Sequence, residues 1–446
     1  MDFLPHTDED DRAMLDQLSL DSIDSLFDAI PQDLIFDGAL DVPPALSEPE
    51  LLAHLSQLAS RSRSANELTC FAGGGSYDHH LPAAVRALAS RAEFATSYTP
   101  YQPELSQGVL QAIYEFQSLI CEIYGMEVAN ASVYDGANAL VEGGNLAQRV
   151  TKRDKLIVGA TVPPNYVDVL RTYTSGLGTT IEVVPHSEGV VRWDAIDAAN
   201  AAAVVFAYPN FFGRLEDIEA ACTVAHEAGA LAIAVADPTA MGILKSPGEA
   251  GADVAVGEGH ALGNPMSYGG PYVGLLATKL DHVRQVPGRI AGATLDADGR
   301  RAYVLTLQAR EQHIRRAKAT SNVCTNQTLM AIAAAVHLSW LGPAGLQRLG
   351  EVCARRAAAT AIRLAEIPGC SIEFDGPRFK ELVLRTPLSG GELCRRLARR
   401  GFLVGPALGP MYPELEDCVL VAVTERRTDD DIARLAEAIE KELAEL

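Results

Sequence analysis

Lysine is scarce in this chain of 446 residues, present only as Lys152, Lys155, Lys245, Lys279, Lys318, Lys380 and Lys441. Basic charge as a whole is short: 37 Lys and Arg face 58 Asp and Glu, for a formal net charge of −21. Nothing is left over to neutralise a run of phosphates, which excludes a nucleic-acid binder and disfavours an anionic membrane surface as partner. A phosphate-bearing ligand would have to be held locally, by backbone N–H groups and chosen arginines. Paired cysteines are missing too. Cys70, Cys121, Cys222, Cys324, Cys353, Cys370, Cys394 and Cys418 stand singly, without CxxC or CxH spacing, so no structural zinc site is expected. In their apolar or helical contexts they read as buried small hydrophobes of a reduced, cytoplasmic protein. The opening "MDFLPHTDEDDRAMLDQL" lacks the basic-then-apolar pattern of a secretion signal, and no apolar run approaches a membrane span.

The length suits one large α/β unit with one or two smaller ones. Residues 1–70 read as an acidic helical arm, with helix starts at Thr7 and Asp21 and interruptions at Pro31, Pro43 and Pro44. A dimer arm and an ordinary helical subdomain fit it equally. Residues 71–320 alternate strand-like runs ("KLIVGATV", "TTIEVVP", "AAAVVFAYP", "LAIAVAD", "GADVAVGEG", "PYVGLLAT") with helical ones. The strands are nearly continuous apolar runs, as in a mostly parallel sheet covered on both faces. "RAYVLTLQAREQHIRRAKA" is expected to be a long helix leading out of this unit. Residues 321–446 read as a small α+β domain opened by two apolar helices.

This order of elements is similar to fold-type I enzymes of pyridoxal phosphate (PLP). In that fold a strand ends in Pro-Asn, as in "YPN" here, and the next strand ends in an acid, here Asp237. The acid pairs with the pyridine nitrogen and keeps the ring an electron sink. A strand-end Asp is equally a helix cap or turn residue. The fold's reactive lysine follows the next strand, "GADVAVGEG". There the chain reads "GEGHALGNPMSYGGPYVGLL", whose ionisable side chains are Glu258, His260, Tyr268 and Tyr272. The lysine position falls at His260-Ala261, and neither residue forms a stable imine. The large domain thus resembles a PLP domain without its nucleophile. Lys245 follows Asp237 too closely to return to the ring, and Lys279 lies at the far end of its strand. An independent PLP enzyme using either is the rival reading; a non-catalytic regulatory subunit is another.

"FAGGGSYDHHLPAAVRAL", "FATSYTPYQPELSQGVLQAIYEFQSLICEIYGMEVANASVYDGANALVEG" and "HIRRAKATSNVCTNQTLMA" resemble the P-protein family of the glycine cleavage system, on its subunit 1 side. The resemblance runs from end to end. It implies a partner, subunit 2, which carries the lysine and PLP, and a probable doubling to α2β2. The implied reaction releases CO2 from glycine and passes the aminomethyl group to the lipoyl arm of the H-protein. On this view the missing lysine is a division of labour, and no cofactor is covalently held here. The block Tyr98, Thr99, Tyr101, Gln102 and Glu104 is implied to reach a shared active site, stiffened by Pro100 and Pro103. The alternative is that Glu104 and Ser106 merely start the following helix. Asp237 and His260 form a remnant cofactor pocket.

Other features read more blandly. "FAGGGS" is either an anion nest or a tight turn. His79 and His80 have no acidic or cysteine partner at useful spacing, and structural roles are favoured over metal binding. Asp135 caps a helix whose start receives the phosphate in PLP-bearing relatives, and its charge disfavours phosphate there. Arg310, Arg315, Arg316 and Lys318 fall on one helix, either steering a partner or forming a solvated basic face.

Overall fold

The computed structural model describes residues 5–36, 38–65 and 67–445, so the first four residues of the opening stretch lie outside the described residues. The chain divides into two units, Met1–Arg63 and Ser64–Leu446. In the first, Thr7 caps the Asp8–Leu18 helix through a capping box with Asp10. The start expected at Asp21 yields only a 3-10 turn, Asp24–Phe27, with Pro31 close behind. A second helix, Glu48–Ala59, opens on a Ser47–Glu50 capping box. Neither helix has a buried residue.

The second unit is built on a seven-stranded sheet. Its strands in chain order are β1 (Val128–Ala129), β2 (Lys155–Gly159), β3 (Thr180–Val184), β4 (Ala201–Tyr208), β5 (Leu231–Ala236), β6 (Val254–Glu258) and β7 (Gly274–Thr278). Across the sheet they run β1-β7-β6-β5-β4-β2-β3. Strand β7 is antiparallel to both neighbours, and the other pairings are parallel. All eight residues of β4 are buried. Val204, Phe206 and Tyr208 enter one core, and Ala203, Val205 and Ala207 the core on the opposite face. A strand with both faces covered needs an unbroken apolar run, which is why "AAAVVFAY" is legible.

Arg301–Thr306 is a strand, not the expected helix, and pairs antiparallel with Ile290–Leu295. Tyr303 and Leu305 alternate inward against the Gln107–Tyr124 helix, so the short apolar run has period two. The rest of that stretch is short turns: Gln308–Arg310, Gln312–Arg315 and Arg316–Lys318.

The long helix is Thr328–Ala365, broken at Gly342 (φ 61°) ahead of Pro343. By length and composition it passes as a membrane span, contrary to the sequence expectation. Its Ala331, Ile332, Ala334, Ala335 and Leu338 are buried, and Ala331, Ala334, Ala335 and Leu338 join the sheet's core; this is the pattern of a core helix. Beyond it, Ser371–Ile372, Glu381–Arg385 and Cys418–Ala422 form an antiparallel sheet. Thr69–Ala72 pairs in parallel with Phe402–Gly405 of this region. That pairing brings the Gly73–His80 loop against the C-terminal ends of β5 and β6, where Tyr77 meets His260 and Lys380.

Candidate functional site

Asp237 leaves the C-terminal end of β5. Its Oδ1 accepts from the Thr239 N–H (2.8 Å) and hydroxyl (2.6 Å). Its Oδ2 lies 2.5 Å from the Nζ of Lys380, whose side chain is 1% exposed. The ammonium also lies 3.5 Å from the Tyr77 ring centroid. Burial alone would raise the Asp237 carboxyl; Lys380 and Thr239 outweigh it and leave it below its usual value. Lys380 thus supplies this strand-end acid with a cationic partner from within the chain.

A polar chain continues from the ammonium. His79 Nε2 is 3.4 Å from Lys380 Nζ, and His79 Nδ1 is 2.7 Å from Glu425 Oε2. Between a cation and a carboxylate, the ring accepts at Nε2 and donates at Nδ1. The His80 N–H also donates to Glu425 (2.5 Å). The His79 ring thus has an acidic partner that sequence spacing hides, while His80 meets the same carboxylate only through its backbone N–H. Donor atoms of His79, Cys353 and Glu425 lie within 4.8 Å of one another, but the neighbouring ammonium disfavours a second cation there. Tyr77 donates to Glu381 Oε2 (3.0 Å), and Gly74 N–H to Oε1 (2.7 Å).

The loop after β6 is organised by Glu258. Its Oε2 accepts from Gly136 N–H (3.0 Å) at the start of the Gly136–Thr151 helix, and its Oε1 from His260 (3.0 Å) and Val273 (3.2 Å). A helix N-terminus attracts an anion, and here a side-chain carboxylate takes that place. Burial still pushes the group up to about 7. Asp135 caps the same helix, accepting from Asn138 N–H at 2.8 Å, as the sequence indicates. His260 is 2% exposed and stacks on Tyr272, with centroids 4.5 Å apart. Its Nε2 lies 3.1 Å from Tyr77 N and 2.8 Å from Tyr77 O, and burial lowers its pKa to about 4. Ala261 is buried behind it.

Pyridoxal phosphate does not fit these residues. Its ring partner is paired with Lys380, the anion position is filled by Glu258, and His260 stands where an imine would form. The space left among Tyr77, Tyr166, Asp237, Glu258 and His260 is about 60 Å³. That is room for a few waters beside Asp237. A larger space of about 380 Å³ opens on the far side of Tyr166 and Glu258, lined by Gly75, Ser76, Asp135 and Tyr272, so the misfit rests on the filled ring-partner and anion positions and not on volume. Neither rival lysine reaches the pocket beside Asp237. Lys245 pairs with Glu219 at 2.5 Å on the surface, and Lys279 with Asp253 at 2.6 Å beside the other end of β6. Lys380 does reach the pocket, but its ammonium is taken up by Asp237 at 2.5 Å.

The Tyr98–Glu104 block stands apart from this pocket's lining. Tyr98 is 74% and Tyr101 57% exposed, and Gln102, Glu104 and Leu105 are exposed beside them. Thr99 is half-buried, with a hydroxyl that has no partner. Ser106 occupies the N-cap position of the Gln107–Tyr124 helix without a side-chain bond, so the cap reading holds in position only. Arg289, which the sequence reading passed over, reaches Tyr101 from inside. Arg310 is not on a basic helix face: it is buried and donates to the carbonyls of Val286, Gly288 and Leu307. Lys380, Glu381, Glu425 and Arg289 carry no local motif that could have flagged them, and Tyr77 lies inside the "FAGGGSYDHH" stretch without being singled out.

The family model "Glycine cleavage system P-protein" matches residues 1–439. A probable glycine dehydrogenase (decarboxylating) subunit 1 of Desulforamulus reducens is 48% identical over 439 residues, covering 98% of each chain. A crystal structure of glycine decarboxylase (P-protein) of the glycine cleavage system in inhibitor-bound form superposes with TM-score 0.91 at 44% identity, over 99% of this chain and 100% of that one. Lactobacillus brevis glutamate decarboxylase, at 13% identity and TM-score 0.67 over 93% of this chain and 97% of its own, shares the fold alone.

Proposed function

This chain belongs to the glycine cleavage system P-protein family, and from that membership we propose that it is subunit 1 of a two-chain glycine dehydrogenase (decarboxylating), with pyridoxal phosphate on subunit 2. The observation that carries the division of labour is the Lys380–Asp237 pair, which satisfies the ring partner from within the chain. The reaction takes glycine and the lipoyl disulfide of the H-protein. The bond between the glycine carbons breaks and CO2 leaves. A carbon–sulfur bond to the aminomethyl group forms as the S–S bond breaks, and the second sulfur takes a proton. The disulfide is the oxidant. The cofactor on subunit 2 supplies the electron sink for this step.

This chain contributes surface and positioning. Tyr98 and Tyr101 present phenols, with Gln102 and Glu104 beside them, to a site completed across the subunit boundary. The assembly is an α2β2 heterotetramer of the cytoplasm. Mixing tests it. The chain alone with PLP should show no imine absorbance reducible by borohydride and no glycine–bicarbonate exchange. Exchange should appear when subunit 2 and lipoylated H-protein are added. Exchange by this chain without subunit 2 would refute the proposal. A purely regulatory role is tested by Tyr98→Phe in the assembled complex, where an unchanged exchange rate would favour it.

A further inference from the structure

Arg289 is 4% exposed, and its partners are all neutral. Nη1 donates to Thr325 Oγ1 (3.2 Å) and Asn326 Oδ1 (3.1 Å). Nη2 donates to Cys324 O (2.9 Å) and to the Tyr101 hydroxyl oxygen (3.4 Å). Its buried Nε has no partner. Among the described residues no carboxylate pairs with it, although a buried guanidinium ordinarily has one. Its backbone is fixed: Ala131 N–H donates to Arg289 O (2.8 Å), and Arg310 donates to Gly288 O (3.0 Å) next door. The guanidinium carbon lies 5.5 Å from the Tyr101 ring centroid. Cys324 accepts through its backbone carbonyl, whereas Tyr101 accepts through its side-chain hydroxyl, and more than half of Tyr101 is exposed.

A phenol has one proton to donate and lone pairs to accept with. With an Arg289 N–H on its oxygen, Tyr101 is left to donate its own proton outward. The uncompensated cation behind it strengthens that donor and favours an anion in front. We propose that Arg289 is a positioning residue that aims the Tyr101 O–H at the carboxylate of the amino-acid substrate, an inference that rests on Tyr101 belonging to the site shared with subunit 2. The orphaned cation and the exposed phenol then form one device: charge held inside, donor presented outside.

The test uses the complex of this chain with subunit 2, assayed by glycine–bicarbonate exchange with H-protein. Arg289→Lys keeps a buried cation but loses the planar fork that spans Asn326 and Tyr101. Arg289→Lys and Tyr101→Phe should each raise the glycine KM about tenfold with kcat near wild type, the pattern of lost ground-state binding. The double variant should be no worse than the worse single, because both act through one hydroxyl. Inhibition by methylamine, which keeps the amine and lacks the carboxylate, should not change. Additive effects of the two changes, or a matching loss of methylamine binding, would overturn the role of Arg289. So would a wild-type KM for Arg289→Lys alongside a raised KM for Tyr101→Phe. A wild-type KM for Tyr101→Phe in an assembled complex would instead bring down the shared-site reading beneath it. Assembly is followed by size exclusion, and Arg289→Gln, which keeps a planar donor for Cys324 O, is read in the same way if the lysine variant does not assemble.

Discussion

Lys380 has φ 61°, in the left-handed region that a side chain other than glycine's avoids. The Glu381 N–H closes on Phe379 O at 2.6 Å, making a tight turn around it. Such a turn costs on the order of 1–3 kcal/mol and persists where the surroundings hold it. Here they hold an ammonium against Asp237. Lys380→Met strands a buried carboxylate, and a loss of about 3–5 kcal/mol is expected from the shift in denaturation midpoint. Asp237→Asn in the same chain should recover most of it, since an amide needs no counter-ion. An unchanged midpoint for the single variant would strip the pair of its structural role. Glu381, close by, obeys the opposite sign. Burial pushes its carboxyl from 4.5 up to about 7, against Gly74 N–H, Lys380 and Tyr77. Folded protein then holds a proton that unfolded chain releases, so this contribution is whole below the unfolded value and lost as pH rises through the folded one. Glu381→Gln should abolish a loss on the order of 3 kcal/mol between about pH 5 and pH 8, seen in melting curves across that range. Parallel pH profiles for variant and wild type would contradict it. Asp237 and Glu425, both lowered, lose their contributions on acidification instead, Glu425 as pH falls toward about 2.

At the scale of elements, the β6–β7 loop, where the sequence leads one to expect a lysine, is filled by Glu258 and the buried His260. Placing a lysine there is therefore not enough. His260→Lys alone should give no borohydride-reducible absorbance with PLP, because Glu258 still caps the Gly136–Thr151 helix and Lys380 still covers Asp237. Appearance of that absorbance would show the pocket to be open. The loop's position was legible because β4, β5 and β6 are buried on both faces and must be written in continuous apolar residues. Asp135 was legible because a cap acts on its own next turn. Arg301–Thr306 was misread because its period of two is meaningful only beside Ile290–Leu295, a partner that local pattern does not name. Lys380 and Glu425 were invisible for the same reason at longer range: what they do depends on Asp237 and His79, which only the folded chain places beside them. The Tyr98–Glu104 block stood out by resemblance, whereas Arg289 behind Tyr101 gave no sign.

At the scale of the whole molecule, the uneven distribution of burial points to where assembly energy lies. Residues 1–63 hold fourteen acidic and three basic side chains, about half of the chain's net −21. The same stretch leaves Leu18, Leu26, Phe27, Leu34, Phe36, Leu40 and Leu52 exposed. None of its described residues is buried, whereas the second unit has its own cores on both faces of a large sheet. Apolar surface of that kind contributes roughly 25 cal/mol per Å² when a partner covers it. Removing residues 1–63 should therefore leave the melting temperature of the remainder close to that of the full chain, because no core side chain is lost. Association with subunit 2 should weaken by at least tenfold, about 1.4 kcal/mol, measured by titration calorimetry on the two purified chains. The full chain should also bind with a more negative heat-capacity change than the truncated one, the mark of extra apolar burial. A truncated chain that melts many degrees lower would place the first unit in the chain's own core. One that melts normally and binds subunit 2 as tightly would leave the exposed leucines and phenylalanines without a partner in this assembly.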